Sequence, residues 1–264
     1  MRRPAVRVPI SKRFVRVWQR NLAVYLRTWK ISFIPPLLEP LLYLLAFGVG
    51  LSALVGKVRA GGEEVSYVDF IAPALIAITI MNSAFFENTY ASFVRMYYQK
   101  TFDAMLATPL FIEEIITGEM IWGATKSLIA SAIMVAVISC FGLIRYPWGL
   151  LILPLALLGG MAFGSMGMLF TSLVPNIEMF NLPVFLFVTP MFLFSGTFFP
   201  VENLPAWAQS LASALPLTHL VRLTRAFTFG KLDWGLLWSV LYLIVFALAL
   251  VPLAVRQMRR RLIK

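Results

Sequence analysis

The chain has 264 residues, of which 60% are hydrophobic and 13% charged, with a formal net charge of +11 and a mean hydropathy of +0.83. A soluble domain clothed in polar side chains does not have that balance, so the chain is read as a membrane protein. One cysteine, Cys140, and one histidine, His219, argue against a disulfide framework, a metal cluster and a histidine-based hydrolase.

In chain order, the first pattern is "SKRFVRVWQRNLAVYLRTWK". Phe14, Trp18, Leu22, Tyr25 and Trp29 recur at helical spacing, while Arg13, Arg16, Arg20 and Arg27 gather on the opposite face. Aromatic and basic faces in one helix predict an amphipathic segment, residues 1–30, lying in the cytoplasmic interface; the alternative is a solvated basic arm. The first apolar run starts some thirty residues in, without a small-residue cleavage site, so the N-terminus is expected to stay on the mature chain.

Six apolar runs approach the roughly 20 residues needed to cross a bilayer: Ile31–Leu54, Phe70–Phe93, Ile116–Phe141, Leu150–Leu173, Met179–Phe199 and Leu236–Val255. The expected fold is therefore an all-α integral membrane protein, with 31–264 as a single six-helix transmembrane domain. Arg2, Arg3, Arg7, Lys12, Arg13, Arg16, Arg20, Arg27 and Lys30 precede the first run, and Arg256, Arg259, Arg260, Arg261 and Lys264 follow the last. An excess of Lys and Arg marks cytoplasmic segments, which predicts both tails inside. The positive charge is thereby an orientation signal and an attraction to anionic lipid, rather than a footprint for nucleic acid.

Pro35, Pro36 and Pro40 are expected to kink the first span, and a short outer loop carrying "AGGEE" follows it. In the longest cytoplasmic connection, Thr108-Pro109 predicts a helix N-terminus leading into the third span. Ahead of it, "KTFDAMLA" predicts a short amphipathic helix that docks on a soluble partner through Phe102, Met105 and Leu106, or else merely links two spans. In the fourth span Gly160, Gly164 and Gly167 allow close approach of another helix, from this chain or a second copy.

Glu39, Glu87 and Lys126 interrupt apolar spans at similar depth in the inner half, where a lone charge costs roughly 3 kcal/mol. Two readings follow, an ion pair between Lys126 and Glu87 or Glu39, or a polar entrance for a substrate headgroup.

After the fifth span, Pro205 and Pro216 each start a short amphipathic helix, with Trp207, Leu211 and Leu215 on one face of the first and Leu217, Leu220, Val221 and Thr224 on one face of the second. Each is about half a bilayer long, so the pair predicts an outer re-entrant helical hairpin before the last span. His219, Arg222 and Arg225 form a polar strip on the second helix, suited to an anionic or sugar-bearing headgroup or to snorkelling toward outer phosphates.

No G-x-x-x-x-G-K-[ST] occurs; the nearest approach, Gly118 to Gly123, is followed by Ala124 and Thr125. The chain therefore cannot bind ATP through a P-loop, and catalytic residues are not expected.

The segments "DAMLATPLFIEEIITGEMIWGATKS" and "LFSGTFFPVENLPAWAQSLASALPLTHLVRLTRAFTFG", with the helix-then-six-spans layout, resemble the type 2 permeases of ATP-binding-cassette exporters. Within these they look most like the permeases of nodulation-factor exporters, which move lipo-chitooligosaccharides; permeases for polysaccharides and drugs share the outer-loop pattern. The resemblance implies a homodimer in a bacterial inner membrane, in contact with its lipids, paired with two copies of a separate ATPase that holds ATP and Mg. It also implies that the 100–107 helix, with Phe102, Asp103, Met105 and Leu106, couples to that ATPase. A proton-coupled carrier using Glu87 or Glu39 is the alternative from another class.

Overall fold

The computed structural model describes residues 11–51, 56–60 and 63–263. Helix α1 (Phe14–Arg27) leads into α2 (Trp29–Leu45), which continues as a π-helical turn over Ala46–Leu51. The expected first span falls on this helix, with residues 52–55 outside the described ones.

The connection between α2 and the next long helix is not featureless. Strands β1 (Lys57–Ala60) and β2 (Glu63–Ser66) pair antiparallel, Lys57 opposite Ser66 and Ala60 opposite Glu63, a small departure from the all-α expectation. Such a pairing satisfies its backbone internally, and a period-2 ribbon of four residues a side is too short to stand out from a loop in the sequence.

Helix α3 (Tyr67–Phe86) extends through two π-helical turns, Glu87–Ala91 and Val94–Tyr98. A short helix α4 (Thr101–Leu106) follows, then α5 (Ile112–Cys140), α6 (Ile152–Leu173), the mixed helix α7 (Ile177–Phe194), α8 (Ala206–Ala214), α9 (Pro216–Phe229) and α10 (Gly235–Leu262). Among the described residues five helical stretches are long and apolar enough to cross a membrane, Tyr67–Tyr98, Ile112–Cys140, Trp148–Leu173, Ile177–Phe194 and Gly235–Leu262; the first expected span, on α2, is not one of them.

The central helix is α3. Phe70 to Met81 are buried around its whole circumference, which is the pattern of a helix enclosed by others rather than one with a single wet face. Helices α5, α6 and α9 pack against it. At the perimeter, α7 and α10 turn Phe185, Leu186, Trp238 and Leu248 outward.

Backbones come close where side chains vanish. A Cβ built on Gly160 would lie 2.7 Å from Ala124 Cα, one on Gly164 2.9 Å from Asn88 Nδ2, and one on Gly167 2.8 Å from Phe85 O. These glycines therefore seat α6 on α5 and α3 of the same chain. Ser127 Oγ donates to Ile80 O at 2.8 Å and Thr171 Oγ1 to Asn88 O at 2.7 Å, tying the same helices by hydrogen bonds.

Both described chain ends meet at the start of α5. Ser11 Oγ donates to Glu114 Oε1 at 2.5 Å, and Arg259 pairs with Glu113 at 2.9 Å. Arg261 donates to Thr171 O and, at 2.6 Å, to Val174 O, capping the otherwise orphan carbonyls at the end of α6. Arg259 and Arg261 thus hold the end of the chain onto the bundle.

Helix α5 starts later than Thr108-Pro109 predicts. Thr108 Oγ1 donates to Met105 O at 2.6 Å, closing the end of α4, and Phe111 is the residue flanking the first turn of α5. Its backbone N–H donates to Glu114 Oε2 at 2.9 Å, so a glutamate three residues into the helix supplies the cap that Thr108 does not.

Candidate functional site

Three regions follow from this architecture, two at the end of the bundle holding the chain tails and one at the opposite end. The first is an ionic network between α1, α3 and α5. The π-helical turns of α3 bring Glu87, Ser92 and Arg95 toward Glu119, Trp122 and Lys126 of α5. Lys126 Nζ is 2.7 Å from Glu87 Oε2, and Trp122 Nε1 donates to Glu87 Oε1 at 3.0 Å.

Arg95 completes the set. It lies 2.8 Å from Glu87 Oε1 and 2.6 Å from Glu119 Oε2, and Glu119 also accepts from Ser92 Oγ at 2.8 Å and Asn21 Nδ2 at 2.7 Å. Each buried carboxylate thus meets a cation and accepts further hydrogen bonds, Glu87 from Trp122 and Glu119 from Ser92 and Asn21, which is what permits such burial. The side chain of Glu39 lies outside the described residues.

Arg95, Glu119 and Asn21 escaped the sequence reading. Glu119 falls three residues inside the expected third span and Arg95 two beyond the expected second, where charges are ordinary interfacial residues. The signal that could have found Glu119 and Arg95 is that each lies about two helical turns from Lys126 or Glu87 on the same helix, whereas Asn21, on α1, carried no such signal.

Helix α1 shares in this network rather than resting freely on an interface. A Cβ at Gly118 would meet Val17 at 2.7 Å, Trp18 Nε1 donates to Thr125 Oγ1 at 3.0 Å, and Tyr25 stands edge-on to Trp122. The face toward α5 is thus Val17, Asn21 and Tyr25, whereas Val24, Leu26 and Trp29 stay exposed.

The second region is α4. Lys100, with φ of 52°, takes the left-handed conformation that breaks α3 from α4 and turns the chain outward. The expected anchor Phe102 is fully buried among Phe93, Ile112 and Ile115, because the short helix needs an apolar root to stand on α5. Met105 and Leu106 are partly buried against the same cluster, so Phe102 is corrected from contact residue to root. The surface left outward holds Asp103, Ala104 and Ala107, flanked by Tyr98 and Phe111.

The third region is a cavity of about 720 Å³ at the far end, between β2, the start of α3, α8, α9 and the turns before α6 and α10. Thr218, Arg222, Arg225 and Phe229 of α9 line it, at spacings of four, three and four residues that place them on one helical face. The predicted strip divides here. Arg222 and Arg225 enter the cavity wall, while His219 turns away, its ring 4.0 Å from that of Tyr242 and bonded to Ser239 and Ser213.

Arg225 lies over the Phe70 ring at 4.0 Å and donates to Phe70 O at 3.2 Å and Gly196 O at 3.0 Å. Arg222 and Asp233 are 3.6 Å apart and more than half exposed, a pair worth at most about 1 kcal/mol. Of the two hairpin helices, α9 buries Leu217, Leu220, Val221 and Thr224 as predicted. Helix α8 does the reverse: Ala208 and Ala212 are buried, and Trp207 is 65% exposed, because only small side chains fit beside its neighbours.

Comparison with known proteins places this geometry. The family model for the ABC-2 type transporter matches residues 12–229, from α1 through the hairpin. Nodulation protein J of Rhizobium leguminosarum bv. trifolii is 37% identical over 96% of this chain and 95% of its own length. The protein of the same name from Sinorhizobium fredii is 35% identical over 95% and 94%. The inner membrane transport permease YadH of Escherichia coli is 24% identical over 88% and 89%. With several helices apolar enough to span a bilayer, the chain is a multi-pass membrane protein and belongs to the ABC-2 type transporter family as a nodulation-protein-J-like permease.

Proposed function

We propose that this chain is the membrane subunit of an ATP-driven exporter that carries an amphipathic, saccharide-bearing molecule such as a lipo-oligosaccharide across a bacterial inner membrane. It has six spans, counting the Trp29–Leu51 helix, with both tails cytoplasmic by their basic charge. Two copies work with two copies of a separate ATPase that binds ATP and Mg, since the chain has no P-loop of its own.

The observation that carries this reading is the near full-length similarity to nodulation protein J at 37% identity, which takes in both α4 and the hairpin. In the proposal the outward face of α4 docks on the ATPase, and ATP binding moves the bundle between inward- and outward-open forms. A proton-coupled carrier is disfavoured by the ionic network: Glu87 is already held by Arg95, Lys126 and Trp122, and a relay needs a carboxylate free to change its charge.

The test is affinity purification of the chain from its native membrane in mild detergent, with mass spectrometry and an ATPase assay on the eluate. A P-loop protein in equal amount, hydrolysing ATP, is the expected result. A chain that elutes alone and inert from membranes containing such ATPases overturns the reading.

A further inference from the structure

The cavity at the hairpin end holds polar groups with nothing to bind. Ser195 is 1% exposed and its Oγ has no hydrogen-bond partner; Thr218 Oγ1 and Arg225 Nε are likewise buried and unpartnered. All three residues line the cavity. Buried polar atoms in folded proteins are paired in the great majority of cases, and each exception calls for a ligand, a water or a functional reason.

Two of the three are linked through the backbone beside Ser195, and the third shares a face of α9 with Arg225. Arg225 donates to the carbonyl of Gly196, the residue after Ser195, and Thr218 stands two turns before Arg225 on the same face of α9. Arg225 spends one terminal nitrogen on two backbone carbonyls and, among the described residues, has no carboxylate within ion-pair distance, Glu202 acting on it only from farther along the cavity wall, unlike Arg222, which faces Asp233. A guanidinium with a free Nε edge, and two unpartnered hydroxyls on residues lining the same cavity, match a group with several acceptor oxygens and a negative charge. Basic residues on the cavity wall, Arg145, Arg222, Arg225 and Lys231, outnumber Asp69, Glu202 and Asp233, so the wall favours an anion.

We infer that Arg225, Ser195 and Thr218 form a binding site for an oxyanion, a phosphate, sulfate or carboxylate borne by the headgroup of the molecule that enters this cavity. The site rests on the reading of the chain as a permease only for what delivers the ligand, since the donors stand whatever the transport mechanism. A volume of about 720 Å³ accommodates a sugar together with its charged substituent. The Phe70 ring beneath Arg225 holds the guanidinium plane in place, which is what a preorganised anion site requires.

The experiment uses the purified full chain in a non-ionic detergent and reads binding by isothermal calorimetry and thermal stability, with glucose 6-phosphate, glycerol 3-phosphate and glucose as probes. Both phosphate esters are expected to bind and to raise the melting temperature, and glucose is not. Tighter binding of the sugar ester points to an exported saccharide, and equal binding to a lipid headgroup; either supports the site. Arg225→Gln should abolish binding, and because Arg225 also ties Phe70 to Gly196 this variant is read beside Ser195→Ala and Thr218→Val, which leave those ties intact. Each of these two should fold normally and weaken the phosphate esters about tenfold. Equal affinity for the esters in wild type and both hydroxyl variants, or no binding to wild type, overturns the site. Binding of the esters by a chain that recruits no ATPase would leave the site standing and sink the proposed ATP-driven export instead.

Discussion

Arg95 donates to Glu119 Oε2 through both Nη2, at 2.6 Å, and Nε, at 3.0 Å, a two-pronged contact that joins α3 to α5 at the end of the bundle where the chain tails meet. Its other terminal nitrogen reaches Glu87 at 2.8 Å, so one cation serves two buried carboxylates. Among the described residues Lys126 pairs with Glu87 alone, and it is 34% exposed. Arg95→Ala is therefore expected to destabilise the chain by about 3–5 kcal/mol, and Lys126→Ala by about 1 kcal/mol, because only the first strands two charges away from water. Unfolding titrations of the two variants, with and without Glu87→Gln, check this. Equal costs for both would show that Arg95 has no special place in the network.

Gly160 offers a second measurement. Its missing Cβ lets Ala124 Cα approach, and the clash on adding one is with backbone, which cannot swing aside. Gly160→Ala should cost about 1–3 kcal/mol by overpacking, whereas Gly50→Ala, with nothing within 4 Å, should be near neutral. Melting curves of the two variants in one detergent decide; crosslinking of a dimer does not, since the contact lies within one chain. Arginine at Gly164, beside Asn88, is expected to abolish folding altogether.

These two sites show what a single sequence reveals. Length and apolarity exposed α3, α5, α6, α7 and α10 because a bilayer demands about 20 apolar residues and little else does. Lys126 and Glu87 were legible since charge inside a span is costly. Glu119 and Arg95 were not, for at a span's end charge is cheap and only the fold reveals that α1 covers them. The glycine motif announced a close contact without naming the partner. On α8 helical spacing selected Trp207 and Leu211 as the buried face, but periodicity in a membrane segment cannot tell inward from outward when both sides are apolar.

Helix α4 separates folding from coupling. Phe102 is fully buried, so Phe102→Ala should cost about 3–5 kcal/mol and lower the yield of folded chain. Ala104 faces outward, and Ala104→Arg should leave the melting temperature unchanged while reducing the ATPase recovered with the chain and the ATP turnover of the eluate. Unchanged recovery with Ala104→Arg, in a chain that does bind an ATPase, would remove the outward face of α4 from the interface.

His219 tests whether the lone histidine carries chemistry. Its Nε2 is 3.0 Å from the carbonyl of Ser213 and donates to it, so in the neutral ring Nδ1 accepts from Ser239 Oγ at 3.2 Å. Tyr242, stacked on the ring, donates its hydroxyl to Ala214 O at 2.6 Å. Together they fasten the end of α8 to α9 and α10, with both bonds spent on backbone or hydroxyl and neither nitrogen facing the cavity. His219→Ala and Tyr242→Phe should each cost about 1–2 kcal/mol, and the double variant less than their sum because the two bonds hold the same turn. If the chain exports as proposed, transport by either folded variant should remain within a few-fold of wild type. A His219→Ala chain of unchanged stability that no longer transports would give the histidine a functional role that this geometry denies it.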